Sequence, residues 1–391
     1  LLLITAVCQL QAQKPQYKKA FRKAEKQTEI LVAQTAKADK GPKGDLVSPR
    51  TVHEGKLVLS NSTYWTSGFF PGTLWYLYEY SQDAACLEGA KKHTPFIEKE
   101  QHNTGTHDLG FMIYCSFGNG YRLTNDAAYR NVIIQAAKSL SKRFHPGAGT
   151  IRSWDHNRDK WEYPVIIDNM MNLELLFAAT RLSGDSSFYK IAVTHADNTL
   201  KNHFRPDFSS FHVVDYDVKT GAVRNRHTHQ GYSHESAWAR GQAWALYGYV
   251  LCYRETGNEV YLKQAEGIAN YILNHQSMPE DLVPYWDYHD PQIPNAPRDA
   301  SAAAITASAL YELSTFSAQQ KEYKAAADKM LHSLSKKYTN KKGENWGFIL
   351  DHSTGNKPRN SEVDVPLSYA DYYYLEALLR SRQMKGKLSI K

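Results

Sequence analysis

Cysteine is scarce, with four in 391 residues. Cys8 falls in the opening apolar stretch, and Cys86, Cys115 and Cys252 form an odd remainder, two of them inside apolar helical runs. That excludes a disulfide framework and favours buried thiols. Long hydrophobic runs are missing too. The start, LLLITAVCQLQAQ, is too short to span a bilayer. It has the character of the latter half of a secretory signal peptide over residues 1–13. Val7 stands where a lipid-anchored cysteine needs a small residue before it, so export to the periplasm without a lipid anchor is expected. Extended Lys/Arg blocks are absent as well. The net charge is only +7 and the densest basic run is KKAFRKAEK, which argues against a nucleic-acid partner. HExxH, paired CxxC, calcium-loop, GxSxG and Gly-rich phosphate-loop patterns are all missing, so neither a metal nor a cofactor is expected, despite the HTH at 227–229.

What the chain does have is helical periodicity. With 42% hydrophobic and 12% aromatic residues it can bury a large core. Apolar residues at three-and-four spacing fall near 17–37, 67–81, 90–101, 108–120, 126–144, 168–182, 186–203, 234–255, 259–275, 300–316, 320–337 and 364–382. Nothing between them alternates as a sheet. The segments AAYRNVIIQAAKSL, SFYKIAVTHADNTL, EVYLKQAEGIANYI and KEYKAAADKMLHSL align on Tyr129, Tyr189, Tyr261 and Tyr323, at spacings of 60, 72 and 62 residues. Three of them follow a polar cap region, TND, SGD or TGN. Each repeat then holds two helices, one of them more apolar. Six such hairpins, apolar helix inward, close into an all-α (α/α)6 barrel, with an open solenoid as the rival. No Pro/Gly/Ser linker breaks residues 14–391, which reads as one domain.

The apolar helices share a second property, a polar start: SGFF, HDLGF, IDNMM, SHESAW, RDASAA and VDVPLSY. In a closed barrel those N-termini point to one end, and their partial positive charge suits an anion. Within VIIDNMMNLELL, Asp168 interrupts a core-like run, with Asn169 and Asn172 behind it. Either it caps the helix or it does chemistry, since a buried ionised carboxylate is costly. Asp108 poses the same choice. Two carboxyls in one enclosed pocket raise each other's pKa and keep one protonated as a general acid. Residues 211–244 add His212, His227, His229, Gln230, His234, Trp238, Arg240 and Trp244. Arg240 and Trp244, four apart on one helical face, suit a carboxylated sugar ring.

YWTSGFFPG (64–72), HDLGF (107–111), IIDNMMN (166–172), HVVDYD (212–217), THQGY (228–232) and WARGQAWALYGY (238–249), in this order, resemble the unsaturated glucuronyl hydrolases of glycoside hydrolase family 88. The resemblance implies the (α/α)6 barrel and removal of a 4,5-unsaturated uronic acid from the non-reducing end of lyase-generated glycosaminoglycan oligosaccharides. It implies hydration of the vinyl ether, with Asp168 as acid and base and Asp108 as the second essential carboxylate. It also implies that Trp65 and Trp154 are aromatic walls and that His107, His212, His229, Gln230, Arg240 and Trp244 are substrate contacts, Arg240 and Gln230 near the uronate. Ser353, Asn356 and Lys357 in DHSTGNKP are a shifted, partial match to sulfate contacts. The rivals are an unsaturated rhamnogalacturonyl hydrolase of the same barrel, a sugar epimerase with His acid and base, and a non-catalytic glycan binder.

Overall fold

The computed structural model describes residues 17–388, so the leader expected over 1–13 lies outside the described residues. Two kinds of helix alternate along the chain. Tyr17–Lys37, Ala84–His93, Ala127–Ser141, Ser186–Asn202, Glu259–Asn274 and Gln320–Lys337 bury a stripe and leave the rest exposed or half-exposed. Phe69–Ser81, Gly110–Gly118 with its continuation Asn119–Thr124, Asn169–Ser183, Ala239–Thr256, Ala300–Leu313 and Ser368–Leu388 are buried over most of their circumference. Each buried helix packs on the next, and Ser368–Leu388 packs back on Phe69–Ser81. The ring is therefore closed, as an (α/α)6 barrel and not an open solenoid.

Local chemistry sets the boundaries. The three outer helices that carry Tyr129, Tyr189 and Tyr261 start where Asp126, Asp185 and Asn258 accept from the N–H two residues on. Asp83 does the same for Ala85, which starts that helix at Ala84 and not near residue 90. Two inner helices end on left-handed glycines, Gly184 and Gly257, where the chain turns outward. At that end Arg254 binds Glu174 and Glu312 at 2.6 and 2.9 Å, and Arg380 binds Glu312 at 2.9 Å. Arg254 lies in the last turn of its helix, where the macrodipole favours a cation.

Contrary to the sequence reading, the described residues also contain nine strands of two to six residues in four small antiparallel sheets. Such strands are too short to display alternation. Pro164–Ile166 and Val213–Tyr216 are moreover buried on both faces, which erases it. With Val223–His227 they form a three-stranded sheet. The Ile167 N–H donates to the His212 carbonyl at 3.0 Å, so this sheet delivers His212 beside Asp168.

Candidate active site

The starts of the inner helices meet in a cleft of about 560 Å³ whose lining includes Trp65, Asp108, Asp168, Arg240 and Tyr369. Asp168 occupies the N-cap position of Asn169–Ser183 but is itself in the helical region and makes no cap bond. The capping explanation therefore fails. Its Oδ2 is buried without a hydrogen-bond partner among the described residues, and Asp168 is only 7% exposed. Burial pushes the carboxyl up to about 7, with Asp108 adding to the rise and Arg240 opposing it. The expected like-charge effect is real but secondary to desolvation. The neighbouring indole N–H of Trp244 also pulls the pKa down, without closing a hydrogen bond of normal geometry.

Asp108 is fixed differently. Thr106 Oγ1 donates to its Oδ2 at 2.7 Å, and His107 Nε2 lies 3.3 Å from its Oδ1. Just beyond it, Gly110–Gly118 runs as a π-helix, the kind of local insertion that re-aims side chains at functional sites. The two Asn residues behind Asp168 explain how the carboxylates are held together. Asn172 Oδ1 accepts the Phe111 N–H at 3.1 Å, bonding the Asp108 segment to the Asp168 helix. Gly110 permits the approach, because a Cβ there would lie 2.7 Å from Asn172 Cα. Asn169 Nδ2 donates to Ile151 O at 2.7 Å.

His212 does not line the cleft. It is buried beneath it, with Nδ1 accepting the His229 and Gln230 N–H groups at 3.1 Å each. That fixes Nε2 as the protonated nitrogen, and it faces Asp168 Oδ2 at 3.7 Å. Burial holds His212 and His107 neutral, and His229 falls to about 4 for the same reason. Trp154 stacks on His156 at 5.2 Å and packs on His229 at 5.5 Å, forming one wall. Trp65 forms the other, packed on Tyr369 at 4.9 Å and Phe111 at 5.5 Å.

Several expectations need correcting. Trp244 is fully buried against Phe111 and Tyr373, below the cleft floor and not in it. The ring beside Arg240 is Trp238, 4.5 Å away, because a residue at a helix start packs on the chain entering that helix. Arg240 is also held by the protein at its tips: Nη1 binds Asp299 Oδ2 at 2.9 Å and Thr354 O, and Nη2 binds Gly355 O at 2.6 Å. Three of its five N–H donors are thereby taken by the protein, and its buried Nε has no partner among the described residues. Ser353 is fully buried and Lys357 does not line the cleft, whereas Asn356 does. His227 and His234 stack on each other at 4.4 Å, away from the lining.

The sequence reading missed Arg50, Tyr64, Arg359, Glu362 and Asp299. Arg50 binds Glu362 at 2.6 Å and covers Tyr64 at 4.2 Å, closing the cleft edge. Arg359 also lines the cleft and has no ion pair among the described residues. Both arginines come from small hairpins, Ser48–Ser60 and Ser353–Val365, which leave no helical signal. Among the described residues no group of three or more His, Cys, Asp or Glu side chains is placed to hold a metal ion.

The profile of Glycosyl Hydrolase Family 88 matches residues 45–384. An unsaturated glucuronyl hydrolase of Formosa agariphila is 48% identical over 368 residues, covering 94% of this chain and 90% of that protein. An unsaturated chondroitin disaccharide hydrolase of Streptococcus pneumoniae is 36% identical over 345 residues, 86% of each chain. The crystal structure of an unsaturated glucuronyl hydrolase specific for heparin superposes with a TM-score of 0.89 at 45% identity, covering 94% of this chain and 98% of that one.

Proposed function

The chain belongs to glycosyl hydrolase family 88 and is a glycoside hydrolase of the unsaturated glucuronyl hydrolase type, and from that premise we propose that Asp168 removes 4,5-unsaturated uronic acids from glycosaminoglycan oligosaccharides by hydrating their vinyl ether. The observation that carries this is the Asp168 carboxyl: free of any cap bond, buried at the cleft, and raised to about 7. Protonating carbon needs an acid that is still neutral near neutral pH and shielded from water. Asp168 gives its proton to C4. The resulting carboxylate takes a proton from water, whose oxygen bonds to C5. The C5 hemiketal opens to a ketone, and the C1 hemiacetal expels the partner sugar as an alcohol.

The remaining groups have separate tasks. Asp108, oriented by Thr106 and next to His107, presents its carboxyl oxygens toward the cation that develops at C5. His212 Nε2–H steadies the ionised Asp168 during the water step. Trp65 and Trp154 flank the sugar ring, and Gln230 and the inner-helix N-termini favour its carboxylate. Arg359, which lines the cleft without an ion pair among the described residues, supports a sulfated second sugar in place of Ser353 and Lys357. The leader-like start supports a periplasmic location, which fractionation of expressing cells against a cytoplasmic marker would test.

The direct experiment follows the ultraviolet absorbance of the conjugated double bond with unsaturated heparin and chondroitin disaccharides, beside an Asp168→Asn control. Absorbance falling with the wild type and not the variant is the expected result. Equal loss with both would remove Asp168 from the chemistry.

A further inference from the structure

Away from the cleft, residues 343–347 adopt an uncommon backbone. Gly343, Asn345, Trp346 and Gly347 have φ of +85°, +48°, +59° and +100°. For the tryptophan that conformation is strained by roughly 1–3 kcal/mol and persists only where the surroundings over-determine it. They do so here. Gly343 N–H donates to Gln27 Oε1 at 2.8 Å, Gln27 Nε2 donates to Phe348 O at 2.9 Å, and Asn345 Nδ2 reaches Asn340 Oδ1 at 2.9 Å and Asp351 Oδ2 at 2.6 Å. A Cβ on Gly347 would stand 2.5 Å from the Gln27 carbonyl, so the loop lies directly on the first helix.

The outcome is an exposed tryptophan at the edge of a groove. Trp346 keeps 37% of its surface in solvent, its indole N–H pinned to Gly55 O at 2.8 Å. The groove, about 360 Å³, is otherwise lined by Ile30, Gln34 and Val52 among others. Lys26, Ile30, Gln34 and Lys37 recur at helical spacing on one face of Tyr17–Lys37, so a lysine precedes and follows the groove residues. Lys56 adjoins Gly55, and Lys342 adjoins Gly343. All four lysines are exposed, and none has an ion pair among the described residues. Of the neighbouring carboxylates, Glu344 is held by Lys341 at 3.7 Å and Asp351 accepts from Asn345 at 2.6 Å, leaving Glu54 at the hairpin tip and Glu29 beside Ile30 against the four lysines.

We infer that this groove is a second saccharide site, taking an anionic, sulfate- or uronate-bearing oligosaccharide outside the cleft. The indole face offers an apolar platform for a sugar ring, and the surplus lysines complement its charge. One hairpin spans both places: Arg50 in Ser48–Ser60 lines the cleft and Gly55 at its tip lines the groove. That is roughly 15 Å of strand at about 3.3 Å per residue. The choice of an acidic saccharide rests on the function proposed above.

The test titrates a sulfated heparin-type hexasaccharide with a saturated non-reducing end, which offers no vinyl ether, into the full-length protein by calorimetry. Trp346→Ala should weaken binding about tenfold, the loss of one aromatic anchor, with kcat/KM on the unsaturated disaccharide within twofold of wild type. Lys56→Ala with Lys342→Ala, which leaves the loop intact, should weaken it similarly and flatten its salt dependence. Unchanged affinity in both variants overturns the inference, as does equal binding of neutral cellohexaose. Hydrolysis of the disaccharide without hexasaccharide binding removes the groove and leaves the cleft assignment standing. Binding through Trp346 without hydrolysis does the reverse.

Discussion

Replacing Asp168 by Asn should abolish activity and stabilise the protein, with a gain that depends on pH. The carboxyl's ordinary value of 3.8 becomes about 7 in the fold. Its folded-state pKa is raised, so folding favours the protonated form: the contribution is fully present below about pH 4 and is lost as pH rises through about 7. The displacement corresponds to about 4 kcal/mol against the fold above pH 7. Asn mimics the neutral acid and escapes that cost. For 391 residues the unfolding entropy is about 0.8 kcal/mol/K at roughly 2.1 cal/mol/K per residue, so the variant's Tm should exceed wild type by up to about 5 °C at pH 8. Near pH 4 the two should coincide. Calorimetric scans of both proteins from pH 4 to 8.5 measure the difference directly. A difference that does not grow with pH would refute desolvation as the source of the raised pKa, and with it the case for Asp168 as the neutral acid.

The same value sets the rate profile: kcat/KM should decline above about pH 7 as Asp168 ionises, and a profile flat to pH 9 would contradict the acid role. Asp299→Asn keeps a capping group for Ala300–Leu313 but removes the charge opposite buried Arg240; Arg240 then lowers the Asp168 pKa further, so the alkaline limb should move to lower pH, whereas a purely structural role would leave it in place. Gly110→Ala puts a methyl 2.7 Å from Asn172 Cα and Oδ1; overpacking of about 1–3 kcal/mol should lower both Tm and kcat, with KM little changed. Arg359→Ala should raise KM for a sulfated disaccharide several-fold while sparing an unsulfated one, and equal effects on both would remove Arg359 from sulfate recognition.

The helices were legible because their signals are local. Three-and-four periodicity, the Asp126, Asp185 and Asn258 caps and the repeat on Tyr129, Tyr189, Tyr261 and Tyr323 all act within a few turns. Apolarity on every side of the inner helices required that they be surrounded, which made a closed ring the natural solution. The short strands were not legible, since two to six residues are too few to display alternation, and burial on both faces erases it in Val213–Tyr216. At the site, Asp108, Asp168, Trp65 and Trp154 stood out by motif, and all four line the cleft. The direction of Arg240 did not follow, because its partners Asp299 and Gly355 are 59 and 115 residues away. Arg50 and Arg359 were missed for the same reason, as hairpins bring them in from distant stretches of chain. The sequence by itself determined which segments are helices, which faces they bury and which carboxylates interrupt apolar runs, all properties of neighbouring residues. Only the tertiary structure decided that Asp168 makes no cap bond and that burial, with Asp108 adding to it, outweighs Arg240 in setting its pKa. Desolvation and charge act through space, and their sum depends on what the closed ring places around each group.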